Sequence, residues 1–430
     1  MLKNNSRIAI IGSGISGLTS AYLLSQNHDV RVFESGSYIG GHTNTLDVQV
    51  SSGKYSVDTG FIVFNDWTYP NFIELMNQIG VKWQDTLMSF SVKVESNGLE
   101  YNGTNMNSLF AQRRNFFKPS FYRMIQDILR FNQESLATLD PESPLTLGEY
   151  LHQNGYSTQF KEHYVVPMGA AIWSASAEQM DQFPIAYFVR FFKNHGMLSV
   201  DDRPVWKVIQ GGSRSYVEPL IRNFKDRIQL NTSVLNISRS VKDGKKVVNV
   251  KMSHQGQEET HEFDEVILAC HSDQSLKILG DASDSEKEIL SGFSYQPNST
   301  ILHTDASVLP KKRLAWAAWN YFVPKKQKKS VAVSYNMNIL QGIESPETFV
   351  VSLNMDEQIK PERILARLTY HHPVYTASAF HSQKRWAEIS GKNGVHFCGA
   401  YWGYGFHEDG VKSALKVCDQ FGVQLKREDA

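Results

Sequence analysis

Near the start of the chain, Gly12, Gly14 and Gly17 precede a carboxylate at Glu34. Each glycine answers a different physical need. Gly12 allows a tight turn, Gly14 leaves the backbone open to a pyrophosphate, and Gly17 lets a helix pack closely on a sheet. The amides of Ile15 and Ser16 then open a helix whose positive end faces an anion. Glu34 lies 22 residues after Gly12, the spacing at which an acid accepts ribose hydroxyls. A carboxylate there repels a 2′-phosphate, which disfavours NADP. The chemistry expected is dinucleotide binding. A glycine turn that merely packs a helix on a sheet leaves Glu34 unexplained.

A second group of candidates lies near the other end. Tyr401, Trp402 and Tyr404 flank three glycines and His407. Aromatic walls of this kind suit a cation or an apolar chain. Tyr404 and Trp402 are expected to line a substrate pocket, with Phe406 as an alternative wall; the competing reading has them pack a helix onto a sheet. The pair His371–His372 reads first as hydrogen-bonding structure. The segment Arg113–Arg123, RRNFFKPSFYR, mixes bases and aromatics. It reads as a helix start with aromatics inward, against the alternative of an interfacial anchor or lid. No GxSxG or P-loop pattern is present, which lowers the expectation of serine hydrolysis or phosphoryl transfer.

Several elements must position these residues. Ile8–Ile11 is an apolar run suited to a buried parallel strand. A helix is expected from Ile15 to Gln26, with Ile15, Leu18 and Tyr22 on one face. A strand is expected over Asp29–Glu34, and another over Leu46–Val50. Further on, strands are expected over 227–235, 247–252 and 262–269. The hairpin turns between them are Lys242–Asp243–Gly244–Lys245 and His254–Gln255–Gly256–Gln257. Val395–Cys398 reads as a late strand and Gly410–Leu415 as a helix start, with Glu408 and Asp409 at its positive end. Residues 66–200 read as mainly helical, with Tyr69–Ile79 and Ser120–Thr138 as candidates. Residues 290–385 read as mainly β. Stretches 139–145, 281–288 and 323–329 read as surface loops.

The chain has 430 residues, 41% hydrophobic and 20% charged, with a formal net charge of zero. That is ordinary for a globular protein with a sizeable core, and it argues against a nucleic-acid binder. The three cysteines, Cys270, Cys398 and Cys418, imply no disulfide framework. No cysteine–histidine spacing suggests zinc, so no metal is expected. No apolar window approaches a membrane span, and Met1–Ser6 is too short and polar for a secretory signal. A cytoplasmic protein is expected, with peripheral contact at the inner membrane surface left open.

Beyond the opening glycines, GGHTNT (40–45), VDTGFIVFN (57–65) and GVHFCGAYWGYGFHEDGVKSAL (394–415) resemble the FAD-dependent amine oxidase and phytoene desaturase superfamily. The resemblance covers nearly the whole chain. It implies an α/β fold: a glutathione-reductase-like, Rossmann-type FAD-binding domain and a discontinuous α+β substrate domain, amine-oxidase-like. The FAD-binding domain would comprise 1–65, 205–275 and 390–430, and the substrate domain 66–204 and 276–389. It also implies non-covalent FAD. Gly40, Gly41, His42 and Thr43 would pass over the pyrophosphate, and Gly60 and Phe61 would bring backbone beside the flavin. Val234 would meet the adenine, and Gly399, Asp409, Gly410 and Val411 would close the site. The family has an arginine where this chain has His42, so a permanent charge on the phosphate is not assured. Phe64 is expected in the core.

Within that superfamily the motifs, with TYPNF and HHPVYT, look like a branch of amine-oxidase-like proteins found beside cyclopropane-fatty-acid synthases. The branch implies dehydrogenation or desaturation of a methylated fatty acyl chain. Its partners would be a lipid or small-molecule substrate and a fatty-acid methyltransferase or cyclopropane synthase. Two other functions stay open: an amine or polyamine oxidase making hydrogen peroxide, and a non-catalytic FAD-binding subunit of a lipid-modifying complex.

Overall fold

The computed structural model describes residues 5–140, 143–326 and 330–426. Parts of the expected loops at 139–145 and 323–329 therefore lie outside the described residues. The first strand, Arg7–Ile11, is buried from Ile8 onward. It pairs in parallel with Asp29–Phe33 on one side and Glu265–Leu268 on the other. Val395–Phe397 extends the sheet next to Glu265–Leu268, and Ile228–Gln229 closes its opposite edge. Five parallel strands drawn from four distant stretches thus form one sheet, covered by helices. Such strands are buried on both faces, which is why they read as unbroken apolar runs.

Between the first two strands runs the glycine-turn helix, Ile15–Leu24. It ends two residues earlier than expected, and nearly every position is buried, because the closing helix, His407–Gln420, packs along it. The meander expected after residue 227 is an antiparallel three-stranded sheet, Thr232–Lys242, Lys245–His254 and Gln257–Phe263. Its two turns hold Asp243–Gly244 and Gln255–Gly256 at positive φ, the geometry two-residue hairpins need.

A second layer is built on a seven-stranded mixed sheet. Its edges are Ile364–Val374 and Glu100–Asn102. The segment 83–102 contributes Phe90–Val94 and Glu100–Asn102 to this sheet and Trp83–Thr86 to a separate three-stranded sheet, which corrects the helical expectation there. Phe90–Val94 runs parallel to Trp319–Val323, so non-local pairing overrides local propensity. The expected helices appear as Pro70–Gln78 and Pro119–Glu134. A further helix, Asp284–Ser291, replaces the loop expected at 281–288. Ser283 caps it and accepts from the Glu286 amide at 3.2 Å, a capping box whose spacing was readable. Phe64 is fully buried, as expected of core.

Candidate active site

A cavity of about 910 Å³ runs between the parallel sheet and the mixed sheet. One end is walled by Gly12–Ser16, Phe33–Ser35, Thr232–Leu235, Cys270 and Lys277. Glu34 hangs at this end. Its carboxylate accepts from the Ser13 amide at 2.9 Å, the Ser13 hydroxyl at 2.7 Å and the Gly36 amide at 2.7 Å. With the Ser35 hydroxyl also donating to it at 3.4 Å, Glu34 holds the glycine turn in shape while lining the cavity. Val234 lines the same end.

The three glycines take distinct roles. Gly12 sits at φ +107°, and a Cβ there would lie 2.9 Å from the Ala269 carbonyl oxygen. A Cβ on Gly17 would stand 2.0 Å from the Gly12 oxygen, so Gly17 serves helix packing and stays behind the wall. A Cβ on Gly14 would meet nothing within 4 Å. That free space opens at the helix N-terminus, whose first turn carries no acid and no side-chain cap. The first amides of a helix have no intrahelical acceptor, so this cradle suits a diphosphate.

Gly40 and Gly41 bend the next segment back over it. A Cβ on Gly41 would lie 3.3 Å from the Gly14 Cα. His42 follows, stacked on Tyr370 with ring centroids 4.9 Å apart, and lies 5.5 Å from His372 and 6.4 Å from His271. His271, His371 and His372 all line the cavity, a placement that the structural reading of HHPVYT missed. Burial, reinforced by the neighbouring histidines, pushes His42 and His271 down to about 4 and His372 to about 3. The buried Nε2 of His42 has no hydrogen-bond partner. Buried polar atoms without partners are rare, and the cradle in front of this one awaits an acceptor.

Thr43 points away from the cavity. Its hydroxyl bonds that of Tyr216 and lies 3.1 Å from His407 Nε2. The Thr43 hydroxyl therefore ties the glycine segment to the closing helix. His407 stacks on Phe61 with centroids 3.5 Å apart, and both line the cavity with Gly60 and Gly399.

The closing helix begins at His407, three residues before the expected start. Asp409 consequently caps its own helix, accepting from the Phe406 amide at 3.0 Å. Burial raises its carboxyl to about 6, against the pull of that amide. A Cβ on Gly410 would lie 2.6 Å from Ile15 Cγ2, so Gly410 seats one helix on the other. Val411 is fully buried in the core. Asp409, Gly410 and Val411 thus support the wall from behind. Trp402 also stays outside the cavity. It packs edge-on against Phe293, centroids 5.2 Å apart, because the short turn over 400–402 swings it outward. Tyr404, by contrast, lines the cavity, packed 5.5 Å from Phe191.

Beyond the histidines the cavity turns apolar and aromatic. Ile62, Val63, Ile172, Trp173, Trp319, Tyr335, Leu340 and Leu353 form this end. The indole NH groups of Trp173 and Trp319 and the hydroxyl of Tyr375 are buried without partners. Sequence reading passed over these residues, because they come from separate helices and strands and no local pattern joins them. Among the described residues, the sole carboxylate lining the cavity is Glu34, at its opposite end. Asp58 lies behind the wall as a fully buried hub. It accepts from Thr45 Oγ1 at 2.6 Å, from the Ser213 amide at 2.8 Å and from Gln341 Nε2 at 3.0 Å. Among the described residues no His, Cys, Asp and Glu group could hold a metal ion. No helix among them is long and apolar enough to cross a membrane.

A parallel sheet with this glycine turn, meander and late return defines a dinucleotide-binding protein. The chain belongs to the flavin containing amine oxidoreductase family, whose model matches residues 15–309. Its cofactor is FAD, and it is an FAD-dependent oxidoreductase. Among curated proteins, zeta-carotene desaturase of Capsicum annuum is 34% identical over 77 residues, 18% of this chain and 12% of that protein. The chain thus matches only a small part of that relative. Among solved structures, the CLA-producing fatty acid isomerase from P. acnes aligns with a TM-score of 0.69 at 16% identity, covering 98% of this chain and 100% of that one. Cyclohexylamine oxidase from Brevibacterium oxydans IH-35A aligns at 0.67 and 14%, covering 97% and 100%. These likenesses establish a shared fold.

The residues present fit the FAD that the family implies. Gly14, Ile15 and Ser16 would receive its diphosphate, Glu34 a ribose, and Gly60, Phe61 and His407 would lie beside the flavin. When bound, the flavin accepts a hydride equivalent from a substrate carbon. The chain itself supplies orientation, exclusion of water and the aromatic wall.

Proposed function

We propose that this oxidoreductase dehydrogenates or desaturates an apolar acyl chain, such as a methylated fatty acyl group of a lipid, using non-covalent FAD. One observation carries the reading: the substrate end of the cavity is walled by aliphatic and aromatic side chains with no carboxylate among them. An apolar chain gains roughly 25 cal/mol per Å² buried there. A polyamine would bring in several charges, and burying them unpaired is costly. The fold houses a fatty acid isomerase, a cyclohexylamine oxidase and a putrescine oxidase alike, so the wall and not the fold selects among substrates. A methyltransferase or cyclopropane synthase acting on lipid would supply the modified chain.

A second reading has a specific support. Tyr404, Trp173 and Trp319 could cage a small monoamine by cation–π contact. The test is anaerobic bleaching of the oxidised-flavin band at about 450 nm. Bleaching by methyl-branched unsaturated phospholipid and not by amines is expected. Bleaching by an amine alone overturns the acyl reading. A chemically reducible flavin that neither class bleaches favours a non-catalytic flavin-binding subunit.

A further inference from the structure

The far edge of the mixed sheet carries a surface that the oxidation chemistry does not use. Two segments meet there, 106–122 and 311–314. Glu100 joins them: its amide donates to Gln112 Oε1 at 3.1 Å, and its carboxylate accepts from the Lys311 and Lys312 amides at 2.8 and 3.1 Å. Between the segments lies a cleft of about 830 Å³, lined by Lys93, Arg113, Arg114, Lys311 and Lys312 together with Glu95 and Glu100. Lys118 and Arg313 extend the basic face.

These bases are poorly compensated. Among the described residues no ion pair joins Arg113, Arg114, Lys118, Lys311, Lys312 or Arg313 to a carboxylate. The Arg113 guanidinium donates to the Phe110 carbonyl and to Asn107, and that of Arg114 to the Gly98 carbonyl. Neutral acceptors fix their direction and leave their charge. The two acids in the cleft, Glu100 and Glu95, accept from backbone amides and keep their charge in the same way, so the five lining bases exceed them by three. In a chain of zero net charge, this is a marked local excess.

Apolar side chains protrude among the bases. Phe117 is 88% exposed and Met106 68%, with Phe116, Tyr122 and Leu314 beside them. Phe116 stacks flat on buried Phe110, centroids 4.1 Å apart, so the short turn that presents Phe117 is rigid. Within Arg113–Arg123, Phe121 does face inward, as the helix-start reading expects. Phe116 and Phe117 do not.

We propose that this face docks on the surface of an anionic phospholipid bilayer. Phe117 and Met106 enter the headgroup boundary while the surrounding bases meet lipid phosphates. Protruding apolar side chains set among unpaired cations match an interface that is apolar within and anionic at its rim; a soluble polyanion would leave Phe117 and Met106 in water. The assignment does not depend on which substrate the cavity takes.

The test is flotation of the FAD-loaded full chain with vesicles of phosphatidylcholine alone, or with about a third phosphatidylglycerol. Flotation with the anionic vesicles alone is expected. Each base near such a surface contributes roughly fivefold to partitioning, so K311E/K312E should lose at least tenfold by roughly the same rule. F117S should lose a similar factor, with flavin absorbance and melting unchanged. The F117W variant should show a blue-shifted emission with anionic vesicles, which reads the contact without relying on a loss. Absence of flotation, or equal flotation with neutral vesicles, overturns the proposal. Salt-sensitive anionic binding with F117S equal to wild type overturns it in favour of a soluble polyanion.

Discussion

His42 stands beside the glycine cradle with an unpartnered nitrogen, and its protonation couples the site to pH. Burial depresses His42, His271 and His372 from 6.5 to about 4, 4 and 3. Below pH 6.5 the unfolded histidines take protons that the folded ones refuse, so the unfolded state binds more protons and stability falls with falling pH. Asp58 and Asp409 act in the opposite sense. Burial raises each from 3.8 to about 6, so each costs stability above pH 6, and acidification relieves that cost. The buried histidines outnumber them, because burial lowers His195 and His303 to about 4 as well. The melting temperature of the FAD-free protein should therefore drop between pH 6.5 and 4. His42→Gln should flatten that drop, and bound FAD should make it shallower by offering phosphate charge to His42. A His42→Gln protein with the wild-type slope would remove His42 from the linkage.

At the scale of elements, the glycine turn separates two effects that one motif usually merges. Gly14→Ala puts its Cβ in open space, so the FAD-free protein should melt as before while FAD affinity, read by fluorescence titration, falls at least about tenfold through lost phosphate contact. Gly17→Ala should instead unfold the protein more easily, since its Cβ strikes the Gly12 carbonyl. The closing helix is clamped in a comparable way. Glu408 accepts from Asn71 Nδ2 at 2.6 Å and from the Phe72 amide at 2.9 Å, binding the start of helix Pro70–Gln78. Glu408→Gln should cost about 1–3 kcal/mol in chemical denaturation, the range for hydrogen bonds to a buried charge. Local signals made much of this readable in advance: the glycine spacing, Glu34, the meander turns and the late strand all carry short-range rules. Trp402 was misplaced because the direction of a side chain leaving a three-residue turn is set by packing on Phe293. The strand Phe90–Val94 was missed because its parallel partner, Trp319–Val323, lies more than 200 residues away, and Trp83–Thr86 because it pairs with the distant Trp206–Ile209.

Across the whole molecule, polar contacts tie the two halves of the cavity together, and Asp58 with Gln341 is one of them. The Asp58 amide donates to Gln341 Oε1 at 2.8 Å while Gln341 Nε2 returns a bond to the carboxylate at 3.0 Å. Gln341→Ala should lower stability by about 1–3 kcal/mol, since it leaves a buried carboxylate oxygen short of a donor. Urea unfolding would measure the loss. The order of strands in the parallel sheet has another consequence. Arg7–Ile11 finds one neighbour at once in Asp29–Phe33, but its other neighbour begins at Glu265, 254 residues after Ile11. At roughly 5–20 residues per second of synthesis, that flank waits on the order of ten to fifty seconds for its partner. Val395–Phe397 and the closing helix emerge later still. On the ribosome, then, the nucleotide cradle is made some hundreds of residues before the elements that complete it. A nascent chain stalled before residue 395 lacks the strand and helix that shut the site, so FAD loading should wait for them, and the half-made sheet is what a chaperone would meet.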